Sequence, residues 1–333
     1  MIADPITPDT DAAPRLFEVA REIRLYQESQ TPRMSDNALL SRFPGLGSTK
    51  TFKKLREGST EQLEAAEWLP RYEGVMAQIE AEADSREEVI YDDLSFTDEI
   101  YQTTLRLLQQ RGLNRLLVIE GSSGSGKTRA LASVARRLPG GVIVVEAHEG
   151  WGSPWTAAGD ILLALGAVKK AEELPNSFSA RQALLIQKLQ ARRLVEIDEA
   201  QHMGARTLNM LKTLLNKTPS YFTIAALDTL WKKLTTGAWE EAKQLLLNRM
   251  FARIKIDAPS ARDAERFMSR RITLEGDTVP ALKQIIIVAR DHGGMAFLRN
   301  VAARCHALGV DKADAATLLE AAKHVRSQVE GRN

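Results

Sequence analysis

Gly121-Ser122-Ser123-Gly124-Ser125-Gly126-Lys127-Thr128 fits the pattern G-x-x-x-x-G-K-[ST]. In such a loop the backbone N–H groups cradle phosphate oxygens, the lysine reaches the β- and γ-phosphates, and the final hydroxyl holds Mg²⁺. The apolar run 116–119 predicts a buried strand before the loop, and residues 128–137 predict a helix after it. The positive N-terminal end of that helix would face the phosphates. We therefore predict a nucleotide site formed by the whole loop, with Lys127 as its catalytic cation and Thr128 as a ligand to Mg²⁺.

A second segment ends in two adjacent carboxylates. Residues 193–199 predict an apolar strand that finishes at Asp198 and Glu199, with Glu196 as an unusual charge inside it. Ligands bind at the carboxyl ends of strands in open α/β sheets, so Asp198 is placed to hold Mg²⁺. Glu199 is placed to polarise the water that attacks the γ-phosphate. An Asp-Glu pair after a strand can also be an ordinary helix N-cap, but its combination with the phosphate loop favours hydrolysis of a nucleoside triphosphate.

Length and composition limit the classes of protein to consider. A chain of 333 residues with 44% apolar content can form two or three domains with real cores. The net charge of +2 gives no chain-wide argument for nucleic acid, so any basic surface must be local. The single cysteine, Cys305, excludes a disulfide framework and fits a reducing cytosol. No signal peptide opens the chain, and the aliphatic run 285–288 is too short to span a bilayer, so we expect a cytoplasmic protein without a membrane segment.

The first part of the chain predicts a small all-α domain over 15–80, after a flexible tail over 1–14. Ser35-Asp36 starts a short helix, Pro44-Gly45-Leu46-Gly47 ends it, and Ser48-Thr49 starts another. Two short amphipathic helices joined by a tight turn are typical of a helix-turn-helix motif. The second helix has a basic face, which indicates either contact with DNA or a solvated surface of a helical interaction module. The candidate DNA-binding residues are Lys50, Lys53, Lys54 and Arg56.

The rest of the chain alternates strands with helices and then becomes all-helical. An acidic linker is predicted over 81–91, an α/β core over 92–258 and a helical lid over 259–333. Further core strands are predicted at 141–145, 221–226 and 254–256, and lid helices at 261–271, 280–292, 295–308 and 315–327. This order predicts an α/β fold, in which a parallel sheet carries a C-terminal helical lid and follows a small all-α domain.

These motifs in this order resemble the AAA+ ATPases, whose fold is a phosphate-loop parallel sheet with a helical lid. The resemblance implies an ATPase that uses ATP and Mg²⁺. It also implies a polar residue that senses the γ-phosphate at the end of a neighbouring strand, here Asp228, or Thr229 as the alternative. An arginine acting on the nucleotide of the neighbouring subunit would be Arg249, with Arg253 as the reserve. A lid arginine that contacts nucleotide would be Arg299, which follows a glycine pair.

A narrower resemblance, in architecture and size, is to the transposition helper ATPases typified by the B protein of bacteriophage Mu. It implies a homo-oligomer, a helical filament or ring, that assembles on double-stranded DNA with ATP and little sequence preference. The assembly would deliver that DNA to a DDE transposase and stimulate it. Local positive charge suggests that the ATPase part contacts DNA through Lys212, Lys217, Lys232 and Lys233.

Two other functions remain open from the sequence alone. One is a helicase or initiator loader of DNA replication, which would share the same ATPase core. The other is a nucleotide-gated regulator whose basic helix reads a single operator sequence.

Overall fold

The chain divides into two compact units, Met1–Glu87 and Glu88–Asn333, which we call the N-terminal and C-terminal units. The computed structural model describes residues 12–29, 34–61, 63–138, 140–234, 239–310 and 312–331. Most of the flexible tail predicted over 1–14 lies outside these ranges, and its last three residues begin the first helix. In the described ranges, no helix combines the length and the apolar character needed to cross a bilayer.

The N-terminal unit is all-helical. Its helices are α1 (Ala12–Ser29), α2 (Asp36–Arg42), α3 (Thr49–Arg56) and α4 (Ala65–Tyr91). The side chains of Ser35 and Ser48 accept hydrogen bonds from the first turns of α2 and α3, which is why each helix begins where the sequence predicts. Apolar residues from all four helices form one core, and the buried Tyr72 hydroxyl donates to the carbonyl of Leu46 at 3.1 Å.

The segment predicted as an acidic linker, residues 81–91, is the C-terminal part of helix α4. Its acidic composition indicated solvent exposure but did not indicate its conformation. Alanine, glutamate and arginine are strong helix formers, so a segment built mainly from them can continue a helix without turn chemistry to end it. The boundary between the two units falls inside this helix.

The C-terminal unit begins with an alternation of helices and strands. In chain order these elements are α5 (Ser95–Leu108), β1 (Leu116–Gly121), α6 (Lys127–Arg137), β2 (Ile143–Glu146), α7 (Pro154–Ala164), α8 (Phe178–Lys188), β3 (Leu194–Asp198), α9 (Ala205–Lys217), β4 (Tyr221–Ala226), α10 (Thr229–Leu234), α11 (Glu240–Arg249) and β5 (Met250–Ile256). The strands form a parallel sheet in the order β2-β3-β4-β1-β5.

The sheet is covered on both faces. Phe222 and Ile224 of β4 face a core shared with α7, α8 and α9, whereas Leu117 and Ile119 of β1 face a core shared with α5 and α6. Because the strands are parallel, all their carboxyl ends meet at one edge, which we call the carboxyl edge. The register places Glu120 of β1 beside Ala226 of β4. The loops after β1, β3 and β4 therefore emerge next to one another.

The lid contains helices α12 (Ala261–Ser269), α13 (Val279–Asp291), α14 (Met295–Ala307) and α15 (Ala315–Val329). It also contains two short parallel strands, β6 (Thr273–Leu274) and β7 (Lys312–Ala313), although the sequence predicted only helices from residue 259 onward. A strand of two residues is too short for its alternation to be visible in sequence. Cys305 is buried in the lid core, and burial raises the pKa of its thiol.

Candidate functional site

The phosphate loop leaves β1 at Gly121 and enters α6 at Lys127. Gly124 and Gly126 have φ of 76° and 100°, which favours glycine because a β-carbon is strained there. A β-carbon at Gly126 would also lie 2.8 Å from the ring of Tyr91, and one at Gly124 would collide with the carbonyl of Gly293. The loop is therefore shaped by conformation and by close neighbours, and its backbone remains open to a phosphate.

Lys127 is buried at the start of α6. Its Nζ donates to the carbonyls of Gly121 and Ser122, at 3.0 and 2.9 Å. Burial lowers the pKa of Lys127, while the carboxylates of Asp198, Glu199 and Asp228 act in the opposite direction. The same cation is thus held inside the loop and within electrostatic range of all three candidate acids.

Thr128 and Asp198 bring two oxygens to one point. The Thr128 hydroxyl donates to Oδ2 of Asp198 at 2.6 Å, and Oδ1 of Asp198 accepts the backbone N–H of Glu199 at 2.8 Å. Mg²⁺ is bound in nucleotide sites by one or two protein oxygens together with phosphates and water. In the described part of the chain no cluster of three or more His, Cys, Asp or Glu side chains could hold a metal ion alone. The Thr128–Asp198 pair therefore fits a Mg²⁺ that the nucleotide helps to bind.

Glu199 follows β3 in the left-handed backbone region, with φ of 51°. Its carboxylate accepts a hydrogen bond from the side-chain amide of Gln201. The other end of the same amide accepts the backbone N–H of Leu227 at 3.1 Å, just after β4. Lys233 of α10 donates to the carbonyl of Gln201 at 3.0 Å. Gln201 therefore connects the predicted catalytic acid to the end of the neighbouring strand.

Sequence reasoning missed Gln201. Only its position two residues after Glu199 could have indicated a role for Gln201, because a glutamine in a short turn has no particular functional meaning by itself. The contact with Leu227 depends on β3 and β4 being neighbours, which is a property of the sheet order.

Asp228 lies directly after Leu227, at the carboxyl edge of the sheet. Its Oδ1 is buried, and within the described residues it has no hydrogen-bond partner. A buried oxygen without a partner is costly unless a ligand, ion or water satisfies it. The structure therefore places an unsatisfied acceptor where the sequence predicts a residue that senses phosphate.

The lid closes one side of this cleft. The backbone N–H of Ala296 donates to the carbonyl of Gly124 at 3.0 Å, which fixes the start of α14 against the phosphate loop. The cleft has a volume of about 250 Å³. Its lining residues are Tyr91, Ser123, Gly124, Gly126, Lys127, Thr128, Arg129, Glu199, Leu227, Ala296 and Arg299. Arg299, the lid arginine that the resemblance pointed to, lies at the cleft, and Tyr91 lines it although the sequence did not indicate this residue.

A larger cavity, of about 610 Å³, lies among α5, α6 and α12 and does not include the phosphate loop. Its arginines are engaged within the unit, because Arg137 pairs with Asp98, and Arg270 pairs with Asp93. This cavity is therefore a gap between ion-paired helices, and the predicted nucleotide-binding residues line the smaller cleft.

Arg249 and Arg253 do not join the cleft. Met250 pairs with Leu116 and Ile256 with Gly121, so Arg249 lies at the amino ends of the strands. At about 3.3 Å per residue, that edge is roughly 20 Å from the phosphate loop. Arg253 lies midway along β5 and forms an ion pair with the buried Glu120, with Nε–Oε2 at 2.6 Å. Arg249 is therefore too far from the cleft of its own chain to contact a nucleotide there, and Arg253 is engaged with its own sheet.

The four candidate DNA-binding residues of the N-terminal unit differ in whether their side chains are exposed or bonded to other residues of that unit. Lys50 and Lys53 are exposed on α3. Lys54 instead donates to the carbonyl of Glu61 at 3.1 Å, and Arg56 pairs with Asp36 at 3.5 Å. Two of the four predicted cations are thus engaged inside the unit, which the one-dimensional charge pattern could not indicate. Of the candidates in the ATPase part, Lys217 is exposed, Lys212 is half-buried, and Lys232 and Lys233 are exposed on α10, where Lys233 donates to the carbonyl of Gln201.

Comparison with known proteins agrees with this site. Residues 110–234 match the sequence family described as AAA domain, a range that includes the phosphate loop, Asp198, Glu199 and Asp228. Together with the sheet order and the lid, the match shows a phosphate-loop AAA fold. The chain thus contains an AAA-type ATPase domain, preceded by a helical region. A search of curated protein sequences found no match.

Several solved structures are similar at low identity. The Aeropyrum pernix ORC1 protein in complex with DNA is 16% identical with a TM-score of 0.46, over 69% of this chain and 64% of that one. Cdc6p from Pyrobaculum aerophilum is 14% identical with a TM-score of 0.48, over 66% and 64%. PCH-2 from C. elegans is 13% identical with a TM-score of 0.44, over 72% and 71%. The assignment of the fold therefore depends on the family match and the strand order.

Proposed function

We propose that this chain is an ATPase that binds ATP with Mg²⁺ and hydrolyses it in the cleft at the carboxyl edge of the sheet. The observation that carries the proposal is that Lys127 and Thr128 at the start of α6 lie together with Asp198 and Glu199 at the end of β3. Each supplies a group that phosphoryl transfer to water needs: a cation, a metal-binding oxygen pair and a carboxylate.

The roles follow from the contacts. Lys127 exchanges its two loop carbonyls for phosphate oxygens and balances their charge. Thr128 and Asp198 would hold Mg²⁺, and a bound Mg²⁺ would supply positive charge to offset that of the phosphates. Glu199 accepts a hydrogen bond from the attacking water and orients it in line with the bond to the leaving phosphate oxygen. Arg299 lines the same cleft, and Asp228 follows the cleft residue Leu227, so Arg299 would contact the nucleotide directly and Asp228 would respond to it through water or a bound cation.

We further propose that the active form is a homo-oligomer in which Arg249 completes the site of the neighbouring copy. Arg249 is held at the opposite edge of the sheet, where its Nε donates to Oδ1 of Asn216 at 2.8 Å. A guanidinium supplied from another subunit stabilises the charge that develops on the transferred phosphoryl group. Hydrolysis would therefore depend on assembly.

The finer proposal is that this oligomer, a helical filament or ring, binds double-stranded DNA with little sequence preference and delivers it to a transposase. It is supported by the combination of a small helical unit, which exposes Lys50 and Lys53, with an AAA-type ATPase domain. Contacts between lysines and phosphates carry no sequence information, so they favour extended coverage of DNA over recognition of one site.

The test of DNA binding compares two double variants of the full chain. Lys50→Ala with Lys53→Ala should weaken DNA binding and reduce the slope of log affinity against log salt by about 1–2, because released counterions are fewer. The matched control, Lys283→Ala with Lys323→Ala, removes two exposed lysines of the lid and should bind as the wild type does. Equal losses in both pairs would contradict a role for α3.

A footprint with and without ATP then separates the functions. Extended protection that requires ATP and is indifferent to sequence supports the transposition helper, and a single discrete site supports an operator-reading regulator. The decisive partner assay adds a DDE transposase encoded beside this chain's gene and measures strand transfer into the coated DNA. If the transposase is not stimulated and the chain instead pulls down a replicative helicase, the result would favour a helicase or initiator loader.

A further inference from the structure

Helix α5 begins after Leu94, an apolar residue whose side chain cannot accept a hydrogen bond from the first turn. The first backbone N–H groups of a helix have no partner within it, so a polar side chain usually caps them. Here the cap comes from the lid: the backbone N–H of Ser95 donates to Oδ1 of Asp263 at 2.8 Å, and the Ser95 hydroxyl donates to Oδ2. Asp263 belongs to α12, so a lid helix completes the start of a helix of the α/β core.

Asp263 is almost completely buried, with 2% of its surface exposed. Its carboxylate also accepts from the hydroxyl of Ser260 at 2.8 Å, while its own backbone N–H donates back to that hydroxyl at 3.1 Å. A buried carboxylate is tolerated when hydrogen-bond donors replace the water that it loses. One carboxylate therefore joins the first turn of α12, at Ser260, to the first turn of α5, at Ser95.

The residues just before α5 carry a wall of the nucleotide cleft, and we call residues 91–95 the hinge segment. Phe267 lies one helical turn after Asp263, on the same face of α12. Its ring packs edge-on against the ring of Tyr91, with centroids 5.7 Å apart. Tyr91 lines the cleft, so close to the phosphate loop that a β-carbon at Gly126 would lie 2.8 Å from its ring. Helix α12 thus contacts both the start of α5 and the wall of the cleft.

The hinge segment is held from both sides. On the lid side, Arg266 donates to the carbonyl of Asp93 at 2.6 Å, and Arg270 pairs with the Asp93 carboxylate. On the core side, the Ser133 hydroxyl of α6 donates to the carboxylate of Asp92, and α6 is the helix that begins in the phosphate loop. Exposed ion pairs contribute little, whereas removing a buried carboxylate leaves its buried donors without a partner. The buried carboxylate of α12 is therefore the strongest of these attachments.

We propose that Asp263 is a positioning residue of the nucleotide site. By capping α5 from the lid it fixes the hinge segment, and with it Tyr91, in the position that forms the cleft. Helix α14 supplies Ala296 and Arg299 to the cleft and shares a core with α12, so the same contact places this part of the lid. This inference rests on the proposed ATPase function, because a nucleotide is the ligand that the cleft would hold.

Loss of this contact should weaken the binding of ATP and leave the chemical step unchanged. Without the carboxylate, the hinge segment and the lid occupy positions in which the cleft is incomplete. The apparent dissociation constant then rises by the inverse of the fraction of molecules that keep the formed cleft. Lys127 and Glu199 are held by contacts of their own, with the phosphate loop and Gln201, so saturating ATP restores the rate.

The test measures ATP affinity by titration, and the steady-state kinetics of hydrolysis, on the full-length chain with Mg²⁺. Asp263→Ala should raise both the dissociation constant and KM for ATP about tenfold and keep kcat within about twofold of wild type. The matched control is Asp314→Ala, because Asp314 caps the lid helix α15 through the backbone N–H of Thr317 at 2.9 Å. This control should lower the unfolding temperature but leave ATP affinity within about twofold of wild type.

Two milder variants keep the test decisive if Asp263→Ala does not fold. Asp263→Asn keeps the shape and can exchange hydrogen bonds with the hydroxyls of Ser95 and Ser260, so ATP affinity should stay within about twofold of wild type. Ser95→Ala removes one hydroxyl donor to the carboxylate and should weaken ATP binding about fivefold, the effect of losing one hydrogen bond.

Unchanged ATP affinity in Asp263→Ala, or in Ser95→Ala if the first variant does not fold, would overturn the inference and leave the proposed function intact. An equal loss of affinity in Asp314→Ala, or a fall in kcat at unchanged affinity, would also overturn it. A wild type that binds no ATP would refute the proposed function itself.

Discussion

The two edges of the central sheet differ in how their charged groups are satisfied. At the carboxyl edge the groups contact one another within one chain: Lys127 binds its own loop, Thr128 pairs with Asp198, and Glu199 is held by Gln201. At the amino edge the arginines bind neutral groups, as Arg249 does with Asn216. The first edge is preorganised in a single copy, whereas at the second the hydrogen bonds of Arg115 and Arg249 go to neutral groups. This difference divides the mutations into those that act within a subunit and those that act between subunits.

The largest expected effect is at the carboxyl edge. Lys127→Ala should abolish nucleotide-dependent activity, because it removes the charge that stabilises the β- and γ-phosphates. Losing one such electrostatic contact costs about 10²–10³ in rate, and weaker ATP binding adds to that loss. ATP titration and turnover measure the effect, and thermal unfolding shows whether the variant is folded. Lys283→Ala, an exposed lysine of the lid, is the control. Wild-type binding and hydrolysis in a folded Lys127→Ala protein would refute the site.

A second large effect, confined to hydrolysis by the assembly and without loss of ATP binding, is expected at the amino edge. Arg249→Ala should leave ATP binding by the monomer intact and lower hydrolysis by the assembly, by about 10³-fold if its role matches that of a trans arginine. Combining Arg249→Ala with Lys127→Ala subunits should restore part of the hydrolysis, since each lacks a different half of the composite site. Failure to recover, with mixed assembly verified, would mean that the two edges do not meet.

The sequence predicted the carboxyl edge much better than the amino edge, for a physical reason. A phosphate loop and a strand ending in Asp198-Glu199 are local patterns, and parallel strands bring their carboxyl ends together whatever their order. Gln201 contacts Leu227, which follows the neighbouring strand β4, and Arg249 contacts Asn216 of helix α9, so both contacts depend on the three-dimensional packing. The sequence placed Arg249 near the end of the ATPase core. The strand register then showed that this position is too far from the phosphate loop of the same chain for Arg249 to contact a nucleotide bound there.

An intermediate effect is expected at Gln201. Gln201→Ala should lower hydrolysis about tenfold without changing ATP affinity, because Glu199 loses the donor that orients it and Leu227 loses its acceptor. Glu199→Gln gives the lowest rate of hydrolysis expected from this group, since it keeps the shape and ATP binding but removes the carboxylate. Combining the two changes should then add little further loss, as expected for groups that act as one unit. Gln201→Glu places two carboxylates together and should shift the pH profile of turnover, because each raises the pKa of the other.

The smallest expected effect lies between the two edges, at Glu196 in the middle of β3. Its side chain is fully buried, and within the described residues neither oxygen has a hydrogen-bond partner. Burial, followed by the charge of Asp198, raises the pKa of Glu196 from 4.5 to about 8. The folded protein therefore binds one more proton than the unfolded chain between those two pH values. The contribution of Glu196 to the free energy of unfolding consequently falls as pH rises from about 4.5 to about 8, by an amount on the order of a few kcal/mol.

Glu196→Gln should remove this dependence, because the amide has nearly the same shape and does not ionise. Denaturant unfolding of the nucleotide-free protein in a chelator, at several pH values across that window, measures it. The difference in stability between variant and wild type should grow toward alkaline pH, and Glu149→Gln, which changes an exposed glutamate in the same way, should show no such trend. Parallel curves for Glu196→Gln and wild type would mean that Glu196 is ionised in the folded state. The middle of β3 would then carry a charge of its own between the acidic and basic edges.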